Sequence, residues 1–432
     1  MSLTKNQFII AGITGIVVIV AILIFTGIIP GLRTSGPESI AAELSIWNVG
    51  DDESAFTAAY AAFNAKYPNV TFRYRSFSDE GAYEAALLDA LAAGTGPDIF
   101  VVRNDKVIRH QNKMLPASSI TMGLPELRAT FPQVVEKDFF GTGGLYGLPL
   151  SIDTLALIYN RDLFDDAGVS APPRTWDDVQ GTAPVLTKKG EGGVITQSGM
   201  ALGGAASHIE TAVDTLYLLM LQTGTAMTDA ALTQASFNSS TGLNALRFYL
   251  QFGNPTSAAY SWGTGEATAR MRFADEKLAM FIDYASAIPL LTVRNAFLNY
   301  AVAPVPQPKD ATVGITYSSY YGFAVSRRSA NPALAWEFIK TMTTTESVGR
   351  AYVSATRKPP ALRALANGYE NDPVMRVFAK QTLTARSWPQ PDPDRIRASF
   401  VKLISSSLTD PVRASNFLGA AAQEVTSLLR SE

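Results

Sequence analysis

Between residues 44 and 102 the chain alternates short apolar runs with amphipathic stretches, and this order restricts its possible folds more than any other feature. The run 44–47 ends at Asn48 and Gly50-Asp51-Asp52. Beyond it Phe56, Tyr60, Phe63 and Tyr67 recur at i, i+4, i+7 and i+11, the stripe of a helix lying on a sheet, until Pro68 stops it. Val70, Phe72 and Tyr74 then alternate with Thr71, Arg73 and Arg75, the period of a strand buried on one face. A second helix carries Tyr83, Ala86, Leu87, Ala90 and Leu91 on one side and ends at Gly94, and Gly96-Pro97 turns the chain into a third strand, 99–102. Such a βαβαβ order predicts parallel strands with right-handed crossovers and a ligand outside their carboxyl ends. Three polar stretches, 48–52, 76–79 and 103–106, would meet there. Helix capping by Asp52 and Asp105 is the plainer reading of the same residues.

Farther on, residues 139–149 (FFGTGGLYGLP) predict a glycine-turned hairpin. They miss G-x-G-x-x-G because Tyr146 stands where the third glycine belongs, which sets nucleotide binding aside. A buried strand follows at 155–159, and Thr175-Trp176-Asp177-Asp178 has the spacing of a capping box, a structural role for Asp178. The glycine-rich stretch 187–206 is followed by predicted helices near 209–223, 241–252, 266–273 and 283–297, then by a strand at 300–304. Pro304, Pro306 and Pro308 make a stiff crossover, and another strand at 321–326 precedes a helix opened by Asn331-Pro332. The last ninety residues read as mostly helical.

With 432 residues the chain has room for about two or three domain-sized units. Its 36 Lys and Arg against 38 Asp and Glu, with no basic cluster, exclude the charge footprint of a nucleic-acid binder. Without cysteine there is no disulfide, thiolate zinc site, catalytic thiol or lipidated Cys anchor, and only His110 and His208 remain for imidazole chemistry. Neither metal nor cofactor is called for. An exported glycosidase working through two carboxylates is the enzyme alternative, and it needs acids about 5 to 9.5 Å apart. The adjacent pairs Asp51/Asp52, Asp165/Asp166 and Asp177/Asp178 do not serve, since neighbours on a helix diverge. No nucleophile-elbow, zincin or P-loop motif occurs.

Ahead of the folded part, 27 residues between Lys5 and Arg33 carry no charge, and the apolar block 8–29 is 22 residues long. As a helix it would extend roughly 33 Å, enough for a hydrocarbon core of about 30 Å. A cleavable signal peptide is the alternative. Its apolar region runs about 7 to 15 residues, and the small-residue site Ser39-Ile40-Ala41 lies far from the block, so an uncleaved anchor is expected. Residues 30–41, rich in Pro, Gly and Ser, read as a linker. The bulk of the chain is then expected at the cell membrane on a single pass, with its folded part outside the cytoplasm.

Several of these stretches, in this order, resemble the extracellular solute-binding proteins of ABC importers, in particular the sugar-binding family that includes maltose-binding protein. Residues 94–99 (GTGPDI) match its G-x-G-P-D motif; the opening strand, Gly50-Asp51-Asp52 and residues 63–70 match its beginning. Residues 146–149 (YGLP), 157–160 (LIYN), Asp162-Leu163-Phe164, Ala167-Gly168, Pro173 and Thr175-Trp176-Asp177 form a second match. Residues 273–280, 323–326, Asn331-Pro332 and Trp336-Glu337-Phe338 complete it. The resemblance covers about residues 42–432 and implies an α/β, two-lobe periplasmic-binding-protein-like fold of type II, preceded here by one transmembrane helix. It implies hinge crossings near Ile152-Asp153, near 304–308 and near 341–345. Lobe one would be 42–152 plus 309–342 and lobe two 153–308 plus 343–432. The implied function is capture of a small solute, a mono- or oligosaccharide, by lobe closure and delivery to the permease subunits of an ABC importer, with no bond made or broken. A ligand-sensing receptor subunit is a further alternative.

By position in the family pattern, Asp51, Asp52, Asp105 and Lys106 are implied to meet ligand hydroxyl groups, and Asp153 stands where the family often has an acidic ligand on the hinge side. Hydrogen bonds to charged groups contribute about 1.5 to 3 kcal/mol each, so three or four suffice for micromolar affinity, near −8 kcal/mol, roughly, after ordering costs. Where the maltose binder stacks tryptophans, this chain has Val102 and Ser286. The remaining flat faces are Trp262, Tyr284, Tyr320, Tyr321 and Trp388, each of which also suits core packing. Arg357 and Lys358, before Pro359-Pro360, either meet an anion or solvate a loop, the loop being the plainer reading, and His208, in a glycine-rich stretch that could border the cleft, reads as a surface or capping group.

Overall fold

The computed structural model describes residues 5–25, 36–263, 265 and 267–430. The strands Ala42–Val49 and Val70–Phe77 pair in parallel from Ala42 against Val70 to Val49 against Phe77, and Ile46 faces Ile99 of the strand Ile99–Arg103 on the other side. The predicted parallel unit is therefore present, with the first strand in the middle. Tyr321–Ser326 adds antiparallel to Ile99–Arg103, and Met114–Leu115 closes the five-stranded sheet. The aromatic stripe does what its spacing requires: Phe56 and Phe63 are fully buried, and Tyr60 stacks on Phe72 with ring centroids 4.3 Å apart. Asp79 caps the helix Glu80–Ala93 by accepting from the Ala82 amide at 2.7 Å, and Gly94 ends it in the left-handed region at φ 77°.

A second five-stranded sheet runs in the order Tyr300–Ala303, Ala156–Asn160, Leu278–Asp283, Ile195–Met200, Lys188–Lys189. Around it pack the helices Trp176–Val185, Ala212–Gln222, Ser240–Leu250, Pro393–Thr409 and Ala414–Arg430. Thr175 and Asp178 form the reciprocal capping box, and 140–145 forms the glycine-turned hairpin. Each sheet has its own apolar core. One is built on Leu44, Phe63, Ile99 and Phe338, the other on Leu157, Leu216, Phe273 and Phe400.

Between the cores lies a third, small sheet in the order Ala385–Arg386, Thr316–Ser319, Asp153–Thr154. Each of its strands leads from one core to the other: Ile152 belongs to the first and Leu155 to the second, Tyr317 to the second and Tyr320 to the first, Ala385 to the first and Trp388 to the second. The first passage between the cores is at 152–155. The other two lie farther along than 304–308 and 341–345. The proline stretch docks on the second lobe, where Gln307 accepts from the Ile315 amide at 2.8 Å and donates to the Val305 carbonyl at 2.9 Å. Val348, Tyr352, Leu362 and Leu365, assigned by sequence to lobe two, belong to the first core.

The helix Lys5–Phe25 precedes these lobes. The expected span 8–29 passes outside the described residues at 26–29, and among the described residues no helix is long and apolar enough to cross a membrane.

Candidate functional site

The carboxyl ends of the first sheet's strands face the second lobe across two adjoining cavities that share Arg103 and Ser319. The first, of about 220 Å³, is bounded by Asn48, Asp51, Glu80 and Arg103 from one lobe and Asp153, Tyr284 and Ser286 from the other side. The second, of about 260 Å³, lies between Arg103, Asn104 and Asp105 on one side and Asp214, Tyr217, Gln390 and Arg397 on the other.

Two of the three predicted polar stretches reach this cleft directly. Asp51 is 7% exposed, and its Oδ1 sits 2.6 Å from Lys358 Nζ while its Oδ2 accepts from the Tyr352 hydroxyl at 2.7 Å. From the middle stretch the reaching side chain is not within 76–79 but Glu80, the first residue of the following helix, which takes Arg103 Nη1 on both oxygens at 2.8 Å. Arg103 also binds Asp105 through Nε at 2.7 Å and Nη2 at 2.9 Å, so one guanidinium holds two carboxylates in place.

Asp153 sits in the hinge strand, and its carboxylate accepts from the backbone amides of Thr154 at 2.9 Å, Ala285 at 2.8 Å and Ser286 at 3.0 Å. Burial pushes its carboxyl up to about 6, with these amides pulling the other way. Its role here includes anchoring the turn that begins at Ala285. Tyr284, on that turn, lines the first cavity with a buried hydroxyl that has no hydrogen-bond partner among the described residues. In the second cavity the Tyr217 hydroxyl is in the same condition, beside Asp214 and Arg397, which pair at 2.6 Å.

Tyr320 and Tyr321 both line the first cavity. Only Tyr321 was free to leave the core by strand alternation, and Tyr320 stays 3% exposed. Its hydroxyl donates to Asp138 at 2.7 Å, and Asp138 also accepts from Asn104 at 3.0 Å and from Ser387 beside the third hinge strand. Gly322 completes this arrangement, since a Cβ there would stand 2.5 Å from the Phe139 ring that packs against Tyr320.

Four candidates named from sequence do not line either cavity. Asp52 is exposed at the start of the short helical turn Glu53–Phe56. Lys106 is buried among Glu80, Glu84 and Asp394 at 3.2, 2.5 and 3.4 Å, so its charge is already engaged. Trp262 and Trp388 are 4% and 3% exposed in the second core, Trp388 packed edge-on against Tyr217. Conversely, Lys358 is no loop residue in solvent. Arg357 ends its helix in the left-handed region at φ 58°, which turns the next side chain into the cleft. That reversal could have been suspected only from Pro359-Pro360, which forbids the helix to continue. His208 shares a hydrogen bond with Ser207 at 3.0 Å and lines neither cavity.

Among the described residues, every carboxylate that lines the two cavities is thus held by a cation or by backbone amides. Such a set can present donors and acceptors to a polyhydroxylated solute, but it leaves no carboxyl unengaged to act as a general acid. Among the described residues no group of three or more His, Cys, Asp or Glu side chains is placed to hold a metal ion.

Comparison with known proteins agrees with this geometry. Residues 47–348 match the family model of the bacterial extracellular solute-binding protein. A maltotriose-binding protein of Pyrococcus abyssi is 23% identical over 393 residues, covering 88% of this chain and 81% of that protein. A galactooligosaccharide-binding protein of Bacillus subtilis is 23% identical over 375 residues, 82% of this chain and 81% of the relative. Among solved structures, the cyclic α-maltosyl-1,6-maltose binding protein of Arthrobacter globiformis superposes with a TM-score of 0.77 at 18% identity, over 91% of this chain and all of that one, a likeness of fold. Two α/β lobes joined by a three-stranded sheet, with an ion-paired cleft between them and a family match over most of the chain, lead to one conclusion: this chain belongs to the bacterial extracellular solute-binding proteins.

Proposed function

We propose that the cleft captures a carbohydrate, that the lobes close on it by bending at the three-stranded hinge, and that the loaded protein delivers it to the permease subunits of an ABC importer. The observation that carries this reading is the pre-paired cleft. Asp51 with Lys358, Arg103 with Glu80 and Asp105, and Arg397 with Asp214 each set a donor beside an acceptor, the pattern that vicinal hydroxyl groups complement. The relatives named for maltotriose and galactooligosaccharides support the ligand class. In this reading Asp51, Asp105 and Asp153 position hydroxyl groups, while Tyr284, Tyr320 and Tyr321 bound the ring faces. Lobe one comprises about 42–152 and 320–372, and lobe two most of the remainder. Closure draws its energy from contacts made to both lobes at once.

The 22-residue apolar block 8–29 supports a further part of the proposal, that the receptor is tethered to the cell membrane with its lobes outside the cytoplasm.

Calorimetry of the full chain in detergent against maltotriose, a galactooligosaccharide mixture, free amino acids and polyamines tests the ligand class. Stoichiometric heat with a sugar, and the same sugar recovered intact, is the expected result. Sugar hydrolysis, or heat only with an amino acid or polyamine, would overturn it.

A further inference from the structure

Beyond the cavities, the two lobes meet in a cluster of charges. On the first lobe Glu80, Glu84 and Asp105 interleave with Arg103, Lys106 and Arg109, three acids with three bases. This group is balanced by itself. To it the second lobe adds Asp394, whose Oδ2 lies 2.8 Å from Arg109 Nη1 and whose Oδ1 lies 3.4 Å from Lys106 Nζ. Asp394 stands in the first turn of the helix Pro393–Thr409, whose Ile396 and Phe400 are rooted in the second core, and the preceding Pro393 lines the second cavity. The contact therefore crosses the rim of the cleft and joins the two lobes.

The Asp394 side chain is 53% exposed even with the contact formed, so little hydration is lost in making it. Lys106, by contrast, is 8% exposed and paired with two glutamates of its own lobe. A buried cation held within one lobe that meets a half-exposed acid of the other is suited to a reversible latch, because the cation keeps partners when the acid leaves. The Asp394 carboxyl is held below its usual range: burial pushes it up, and the charges of Lys106, Arg103 and Arg109 outweigh that.

We infer that Asp394 is a closing residue: its contact with Lys106 and Arg109 biases the lobes toward the closed form and lengthens the hold on bound sugar, which makes Lys106 part of a latch and not a ligand contact. The inference rests on the hinge motion proposed above, but not on the identity of the ligand. Exposed ion pairs of this kind shift a two-state ratio about two- to fivefold, and salt weakens them.

The chain has no cysteine, so Asp89→Cys on the first lobe and Lys402→Cys on the second give two unique attachment points for nitroxide labels, both exposed. Distances between the labels, read by pulsed electron resonance on the full chain in detergent without sugar, report the closed fraction. At about 20 mM NaCl the Asp394→Asn variant should show a closed-to-open ratio about two- to fivefold lower than its parent. About 500 mM NaCl should bring the parent down to the variant's level, and Asp394→Glu should restore most of the closed fraction. Arg109→Gln should reproduce Asp394→Asn. If parent and Asp394→Asn give the same distances at low salt, Asp394 serves only the start of its helix and the latch is refuted. Because no sugar is present, a failure of the sugar reading would appear in the calorimetry and not here.

Discussion

Lys358 Nζ stands 2.6 Å from Asp51 Oδ1, so a residue some three hundred positions away neutralises the carboxylate that ends the first strand's loop. Replacing it in Lys358→Met leaves Asp51, 7% exposed, with only the Tyr352 hydroxyl and the Asn48 amide. The unliganded fold should lose about 1 to 3 kcal/mol by urea denaturation, and Lys358→Arg should recover most of it. An unchanged midpoint in Lys358→Met would mean that Asp51 finds water or another cation.

Asp153 is expected to matter twice. Its place beside the crossing predicts by itself that Asp153→Ala weakens binding and leaves the unliganded fold nearly intact. The amides of Ala285 and Ser286 change that expectation, because they lose their acceptor. Asp153→Ala should lower the stability of the unliganded protein by about 1 to 2 kcal/mol as well as weakening the binding of any sugar that the calorimetry identifies, and thermal melting with and without that sugar separates the two effects.

The hydroxyl of Tyr284 gives a cleaner test of the cleft. It is buried without a partner among the described residues, so Tyr284→Phe removes nothing that holds the unliganded fold together. Its melting temperature should stay the same or rise, while affinity for a sugar that uses the hydroxyl drops about fivefold, the worth of one neutral hydrogen bond. Calorimetric titration of both proteins with the sugar that binds the parent decides it.

Stability should fall as pH rises through neutrality. Burial pushes the Asp138 carboxyl up to about 7, against the hydrogen bonds from Ser387, Tyr320 and Asn104. The folded protein therefore holds this proton more tightly than the unfolded chain, and the stabilisation is complete below about pH 4 and is lost as pH rises toward 7. Asp153, pushed up to about 6, acts in the same direction over the lower part of that range. Between about pH 5 and 7.5 the wild type should lose roughly 1 to 3 kcal/mol, and Asp138→Asn should flatten the slope above pH 6. A wild-type stability that rises over this interval would contradict the assignment.

Local periodicity made much of the first lobe legible. Spacings of 3.6 and 2 residues located its first three strands and the helices between them, and Gly94 marked a helix end; in the second lobe Thr175 with Asp178 marked a helix start. The side of the sheet that faces the cleft followed from strand order alone, and Asp51, Asp105 and Asp153 all line its cavities. Crossing points were harder. The proline run at 304–308 stiffens the chain, but stiffness does not say which core the next segment joins. That depended on Tyr317 and Val348 finding opposite apolar neighbours.

The sequence by itself determined the alternation of strand and helix, the absence of thiol chemistry and the match to a binding-protein family, because these depend on residue type and on spacings of a few positions. Tertiary structure alone decided which charges are engaged. Lys106 belongs to Glu84, Lys358 to Asp51 and Arg397 to Asp214, pairs separated by 22, 307 and 183 residues. Coulomb attraction and desolvation act through space over a few ångströms, so no local pattern in the chain records which acid a base will meet.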